Sequence, residues 1–413
     1  MSFQQGLSGL NAAAKNLDVI GNNVSNASTV GFKSSQAVFA DVYASTLSGA
    51  SGVQVGIGTK LAAVAQQFTQ GNITTTNNPL DTAINGNGFF RVSNNGTIFY
   101  TRNGQFQLDK SGYIVTPQGY NVTGYSATSS GAIVTGTLAN IQLSTSDLAP
   151  NATTSATVAV NLDSRASTIS SAFNYTNAAT YTSSTSLSLY DSLGNQQTYS
   201  MYYVKASSNT WNVYATLTNA SGSTIDLSSG GSTALTTLSF TSGGAISSGG
   251  TASQAITAAQ LGTGAAPLSV AFNFGGSTQF GSPFGVNAVT QDGFTSGRLT
   301  GFGIGSDGII KARYTNGQSI NRAQIVLTNF NNAQGLQPQG NNIFAETSTS
   351  GAPLTGAPAT SNLGVLQSSS VEDSNVDLTA ELVAMITAQR SYQANAQTIK
   401  TQDQVLQTLV NLR

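Results

Sequence analysis

The 413-residue chain carries 15 Lys+Arg and 16 Asp+Glu, a formal net charge of −1, and neither Cys nor His. Charged residues make up 8%, against about 25% in an ordinary soluble domain. Disulfides, thiol nucleophiles, thiolate or imidazole metal sites and a Ser-His-Asp triad are therefore excluded. A near-neutral chain also lacks the electrostatic footprint of a nucleic-acid binder.

At this length two to four domains are expected. Apolar residues reach 39% and the net charge is small, which excludes wholesale disorder. A polar surface with little self-repulsion suits a subunit that packs against copies of itself; it also suits a secreted β-rich protein. No stretch approaches the roughly 20 apolar residues of a membrane span, so no membrane insertion is expected. Met1 to Asn11 has neither the basic n-region nor the apolar h-region of a cleaved secretory signal.

The first element is helical. Apolar or small residues recur at Phe3, Leu7, Leu10, Ala14, Leu17, Gly21 and Val24, with Ile20 beside them. These alternating steps of four and three are a heptad seam. The pattern stops in Asn22, Asn23, Ser25, Asn26, Ser28 and Gly31. Within 32–71, Gly49 to Gly58 suggests an extended connector. Residues 86–125 hold short strands with Asn-Gly and Ser-Gly turns. The Ser-, Thr- and Gly-rich stretch 146–283 contains strands at Val158 to Leu162, Leu187 to Tyr190, Tyr199 to Val204, Trp211 to Leu217 and Leu268 to Phe274. Within it, Ser221 to Gly264 reads as low in complexity and loop-rich. A second run of strands covers 298–330, with turns at Asp307-Gly308 and Asn316-Gly317.

The last element is a long helix. Ser374, Asn375 and Asp377 offer N-cap oxygens before Leu378. Its seam is Leu378, Leu382, Met385, Tyr392, Ala396, Ile399, Leu406 and Val410, with Ile386 alongside, and neither Gly nor Pro follows Val376. Some 36 residues would span about 54 Å. Each terminal helix has an apolar stripe and no local partner. Each is therefore expected to pair with the other, leaving outer faces for neighbouring subunits. The fold class is multidomain α+β, with paired terminal helices in a coiled coil and nested, discontinuous β domains between them.

No motif carries catalysis. Gly301-Phe-Gly303-Ile-Gly305 does not open a helix and reads as a hairpin or bulge. The carboxylates are scattered, many in turns, and Arg91, Arg102, Arg298, Arg313 and Arg322 read as pairing with carboxylates rather than binding phosphate. No catalytic residue, cofactor or metal site is expected.

The two ends resemble a known family. Leu7-Ser-Gly-Leu-Asn-Ala-Ala-Ala-Lys-Asn-Leu-Asp-Val-Ile-Gly-Asn-Asn-Val-Ser-Asn26 with Thr29-Val-Gly-Phe-Lys33, and the run from Ser374-Asn-Val-Asp-Leu-Thr-Ala-Glu-Leu382 to Leu406, are similar to the ends of bacterial flagellar rod and hook proteins. Gly86-Asn-Gly-Phe-Phe90 and Thr101-Arg-Asn-Gly-Gln-Phe106 match as well. Within that family, the 146–283 insertion points to the hook members rather than a distal rod protein; a secreted β-rich adhesin is the alternative from another class.

The resemblance implies a structural subunit of a curved, flexible tube that transmits motor torque from rod to filament. It implies that 1–25 and 376–413 form the inner helical layer and 26–71 with 358–375 a connecting segment. Residues 72–145 with 284–357 would form a middle β domain, and 146–283 an outer one. The implied partners are further copies of the chain, the flagellar rod, hook cap and hook-filament junction proteins, and the flagellar type III export apparatus. The implied location is the extracellular hook, reached without a cleaved signal peptide.

Overall fold

A computed structural model describes residues 2–42 and 56–411. The N-terminal helix covers Ser2–Ser25 and the C-terminal helix Leu378–Asn411. They pack antiparallel: Gly6 lies opposite Ile399, Gly9 opposite Asn395, and Asn23 bonds Glu381 near the other end. Glycine inside a helix costs about 1 kcal/mol relative to Ala. Gly6 and Gly9 offset that cost by letting the helices approach. A Cβ at Gly6 would sit 3.2 Å from Ile399 Cγ1, and one at Gly9 2.7 Å from Asn395 Oδ1. The C-terminal helix is capped by Asp377, whose Oδ1 accepts from the backbone N–H of Thr379 and Ala380 at 2.9 and 3.1 Å.

After the N-terminal helix the chain turns at Gly31, whose φ is 70°. It then enters an antiparallel ribbon of Ser35–Val42 against Gly58–Gln66, with a bulge between Val38 and Phe39. The ribbon is tied to the helix: Gln5 Nε2 donates to Gly56 O at 2.7 Å, and Thr59 N–H donates to Ser8 Oγ at 3.3 Å. Most of the connector expected at Gly49 to Gly58 lies outside the described residues.

The chain divides into two compact units. The first contains both helices, the ribbon and a β body, and is assembled from residues 1–145, 301–313 and 319–413. Its strands Phe89–Asn94 and Thr97–Thr101 form a hairpin through Asn95-Gly96, both at positive φ (49° and 92°), as the tight turn requires. Phe89 and Phe90 are both buried on opposite faces of their strand. Phe90 joins a core with Val92, Ile114, Val122, Ile310 and Ile325. Phe89 joins an aromatic cluster with Tyr100, Phe330 and Phe344, which Phe68 meets edge-on. Both faces of this sheet are therefore covered. Gly104, in the Thr101–Phe106 motif, passes so close to Thr82 that a Cβ would overlap its carbonyl oxygen.

The second unit comprises 146–300 and 314–318. It runs past residue 283 because Gly285–Gln291 pairs antiparallel with Ser155–Asp163. A five-stranded sheet and a six-stranded sheet share one core, in which Val158, Val160, Tyr199, Tyr203, Trp211 and Phe272 are buried. Trp211 Nε1 donates to Gln279 Oε1 at 2.8 Å. The loop-rich expectation for Ser221 to Gly264 is corrected. The segment forms strands Thr224–Asp226, Thr236–Phe240, Ile246–Ser248 and Thr251–Ile256 and a short helix, Ala258–Leu261. Few apolar residues suffice, because Leu238, Phe240, Ile256 and Leu261 are buried while the intervening Ser, Thr and Gly face outward or turn.

Candidate assembly surface

The helix pair does not use its large apolar residues as the sequence suggests. The buried contact is built from Gly6, Ala13, Ile20 and Asn23 on the N-terminal helix and Ala388 on the C-terminal one. Of the seam expected on the first helix, Ile20 is buried, Leu10, Ala14, Leu17 and Val24 are half-buried, and Phe3 and Leu7 are exposed. On the second, Met385, Ala396 and Ile399 are half-buried, whereas Leu378, Leu382, Ile386, Tyr392, Leu406 and Val410 are exposed. The expected seam thus splits. Small side chains allow close backbone approach, and the bulky aliphatics turn outward. The signal for the close contact was a seven-residue step, Gly6, Ala13 and Ile20, one position from the more hydrophobic stripe.

Asn23 is 1% exposed and ties three elements. Its Nδ2 donates to Ser35 O at 2.8 Å and to Glu381 Oε1 at 2.9 Å, and its Oδ1 accepts from Ser35 N–H at 2.9 Å. It joins the end of one helix, the start of the ribbon and the first turn of the other helix. Asn375 acts similarly, with Oδ1 accepting from Ser34 N–H and Nδ2 donating to Gln67 O, each at 2.7 Å.

Beside these lies a buried ion cluster. Lys33 Nζ is 2.6 Å from Glu372 Oε1 and donates to Thr69 O at 2.7 Å. Arg102 Nη1 is 3.3 Å from Glu372 Oε2, and its Nη2 donates to Gly86 O at 3.0 Å. Gly71 N–H completes the carboxylate's shell at 2.9 Å. The Arg102 guanidinium also lies 5.3 Å from the centre of the Phe89 ring. Burial pushes the Lys33 ammonium below its ordinary value, against the opposing pull of Glu372, and does the same to Arg102. The cluster connects four separate stretches of sequence. The sequence reading of Arg102 as a partner for a carboxylate holds, but Lys33 was quoted only as part of a motif and Glu372 was missed, since nothing local marks a partner more than 250 positions away.

The comparisons fall on the same segments. A family model described as "Flagella basal body rod protein" matches residues 3–33, ending at Lys33. "Flagellar basal body rod FlgEFG protein C-terminal" matches 367–412, which includes Glu372. "Flagellar hook protein FlgE/F/G D1 domain" matches 83–170, and "Flagellar basal body protein FlaE D2 domain" matches 161–294. The chain is similar to the flagellar hook protein FlgE of Escherichia coli (strain K12), at 43% identity over 423 residues covering all of both chains. It is likewise 43% identical over 417 residues to the flagellar hook protein FlgE of Salmonella typhimurium, with both chains fully covered. Flagellar hook protein FlgE of Borreliella burgdorferi is 33% identical over 443 residues, covering 100% of this chain and 99% of that one. The fold is similar to the crystal structure of Helicobacter pylori flagellar hook protein FlgE2, with a TM-score of 0.54 at 16% identity, covering 72% of this chain and 100% of that one. On full-length identity of this degree, the chain belongs to the flagellar hook protein family.

Proposed function

We propose that this chain is the subunit of a helical homopolymer, the curved and flexible hook tube that passes motor torque from rod to filament. The carrying observation is the apolar stripe left outside the packed helix pair: Phe3, Leu7, Leu382, Ile386, Leu406 and Val410 all stand exposed. Such a stripe marks an interaction surface. Neighbouring copies would cover it and so stabilise the tube by apolar burial. In solution the helix pair, with its outer face bare, would be only marginally ordered and would firm up on assembly.

The family likeness suggests how the layers divide. The terminal helices (1–25 and 376–413) would form the inner tube, 26–71 with 358–375 a connecting layer, 72–145 with most of 301–357 a middle β domain, and the second unit, which runs from 146 past 283 to 300, an outer domain. The outer domain's few charges and many hydroxyls favour wet contacts between copies that break and remake as the tube bends. The rod, the hook cap and the hook-filament junction proteins meet the tube's ends. Export runs through the flagellar type III apparatus, without a cleaved signal, to the extracellular hook.

Electron microscopy of basal bodies from the native bacterium lacking this gene tests the reading. Complete rods ending bare, without hook or filament, are expected. Truncated rods would move the protein inward to the rod, and intact flagella would overturn the reading.

A further inference from the structure

A groove of about 430 Å³ lies where the two terminal helices meet the ribbon. Its walls include Gly9 and Ala12 from the first helix, Phe39 from the ribbon, and Ala384, Ala388 and Ser391 from the second helix. No charged side chain lines it among the described residues. Its small holes and one aromatic wall are interspersed with the uncharged polar side chains of Asn16, Thr59, Thr387 and Asn395.

The same C-terminal helix carries the opposite shape. Leu378, Leu382 and Ile386 repeat every four residues and are exposed at 47%, 45% and 52%. At about 100° per residue this ridge lies about 150° round the helix from Ala384, Ala388 and Ser391. The ridge is about 12 Å long at 1.5 Å per residue, and the helical wall of the groove, from Ala384 to Asn395, about 16 Å. A ridge of that length fits inside the groove, and no charged side chain lines the groove.

We propose that the Leu378–Leu382–Ile386 ridge of one copy seats in the groove of a second copy. The inference rests on the hook-subunit reading and names the surfaces that meet. Because ridge and groove lie on nearly opposite sides of one helix, a seated pair still offers one free ridge and one free groove. The contact is heterologous, so it repeats into a ring or an open helix rather than closing as a two-fold dimer. That is the geometry a tube needs. The ridge enters as bulky aliphatic knobs against Gly and Ala holes, the packing by which helices approach closely.

The absence of native cysteine makes disulfide cross-linking a clean test. The bacterium lacking its own copy would produce the chain carrying Ile386→Cys with Ala12→Cys, and isolated hooks would be oxidised and run on a non-reducing gel. A ladder of dimers, trimers and longer multimers is expected from the double variant, and monomers from each single variant. Assembled hooks without a ladder would overturn the proposal, as would dimers from Ile386→Cys alone, which would mean that ridge meets ridge. Leu382→Cys with Thr59→Cys asks the same question from the ribbon wall, should cysteine at Ala12 block assembly. Failure of the unaltered chain to restore any hook would instead remove the hook-subunit reading itself.

Discussion

Lys33 Nζ lies 2.6 Å from Glu372 Oε1, with both side chains sealed from solvent and 339 positions of sequence between them. Arg102 closes on the other carboxylate oxygen, so two cations share one anion. The cluster fastens the segment leaving the first helix, the strands of the β body and the segment entering the second helix into one joint. A buried pair is weak evidence of net stability, but removing one partner strands the others at high cost.

Glu372→Gln is expected to destabilise the first unit by about 3–5 kcal/mol, because Lys33 and Arg102 would remain buried without a counter-charge. Denaturant unfolding of the full chain measures this. A change below 1 kcal/mol would mean that the joint relaxes and lets water reach the cations.

Leu406→Ala is expected to leave the monomer's melting temperature almost unchanged, since Leu406 is 54% exposed and exposed substitutions usually fall within about 0.5 kcal/mol. Hook assembly should nevertheless fail if, as proposed, the burial it serves forms only between copies. Microscopy of the complemented deletion strain, beside a melting curve of the monomer, reads both. Normal hooks from this variant would contradict an assembly role for the stripe.

Tyr199 and Tyr203 are fully buried in the second unit, and neither hydroxyl has a hydrogen-bond partner. Burial raises both phenols well above their ordinary value. Desolvating an unpaired hydroxyl costs about 1–3 kcal/mol. Tyr199→Phe and Tyr203→Phe are therefore expected to be neutral or to raise the melting temperature. A clear fall for either would show that the hydroxyl is satisfied after all.

Asp191 sits in the turn between Ser183–Tyr190 and Gln196–Ser207 and is sealed from solvent. Burial alone would raise its pKa, but hydrogen bonds from the Thr263 hydroxyl, the Asn195 side chain and backbone and the Leu193 backbone outweigh it and hold the carboxyl below its ordinary value. The folded value is depressed, so its contribution is complete above the unfolded value near 3.9 and fades as the pH falls through the folded one. Asp191→Asn should cost about 1–3 kcal/mol at neutral pH, and the gap between variant and parent should close in acid. Melting curves of both proteins across the acid range test this; a gap independent of pH would rule out the ionised carboxylate as its source.

Much of the fold was legible in the chain. Capping oxygens, heptad spacing and Asn-Gly turns are local signals, and they lie where the helices and hairpins form. Ser221 to Gly264 was misread because single buried residues such as Leu238 and Phe240 stand among Ser, Thr and Gly. There the strands are held by cross-strand pairing and a shared core rather than by local propensity. The helix stripe was found, but which of its residues pack within the chain was not legible. Hydrophobicity ranks Leu7 above Gly6, whereas close approach of two backbones favours Gly6.

By itself the sequence determined that cysteine and histidine chemistry is excluded, the helical ends and the membership that its end motifs announce. These depend on residue type and short spacing, which are present before folding. Only the tertiary structure decided which face of each helix is spent within the chain, which stays exposed, and that Lys33 and Arg102 converge on Glu372. Those outcomes depend on distances between residues hundreds of positions apart. Backbone approach and burial set such distances only when the whole chain has closed on itself.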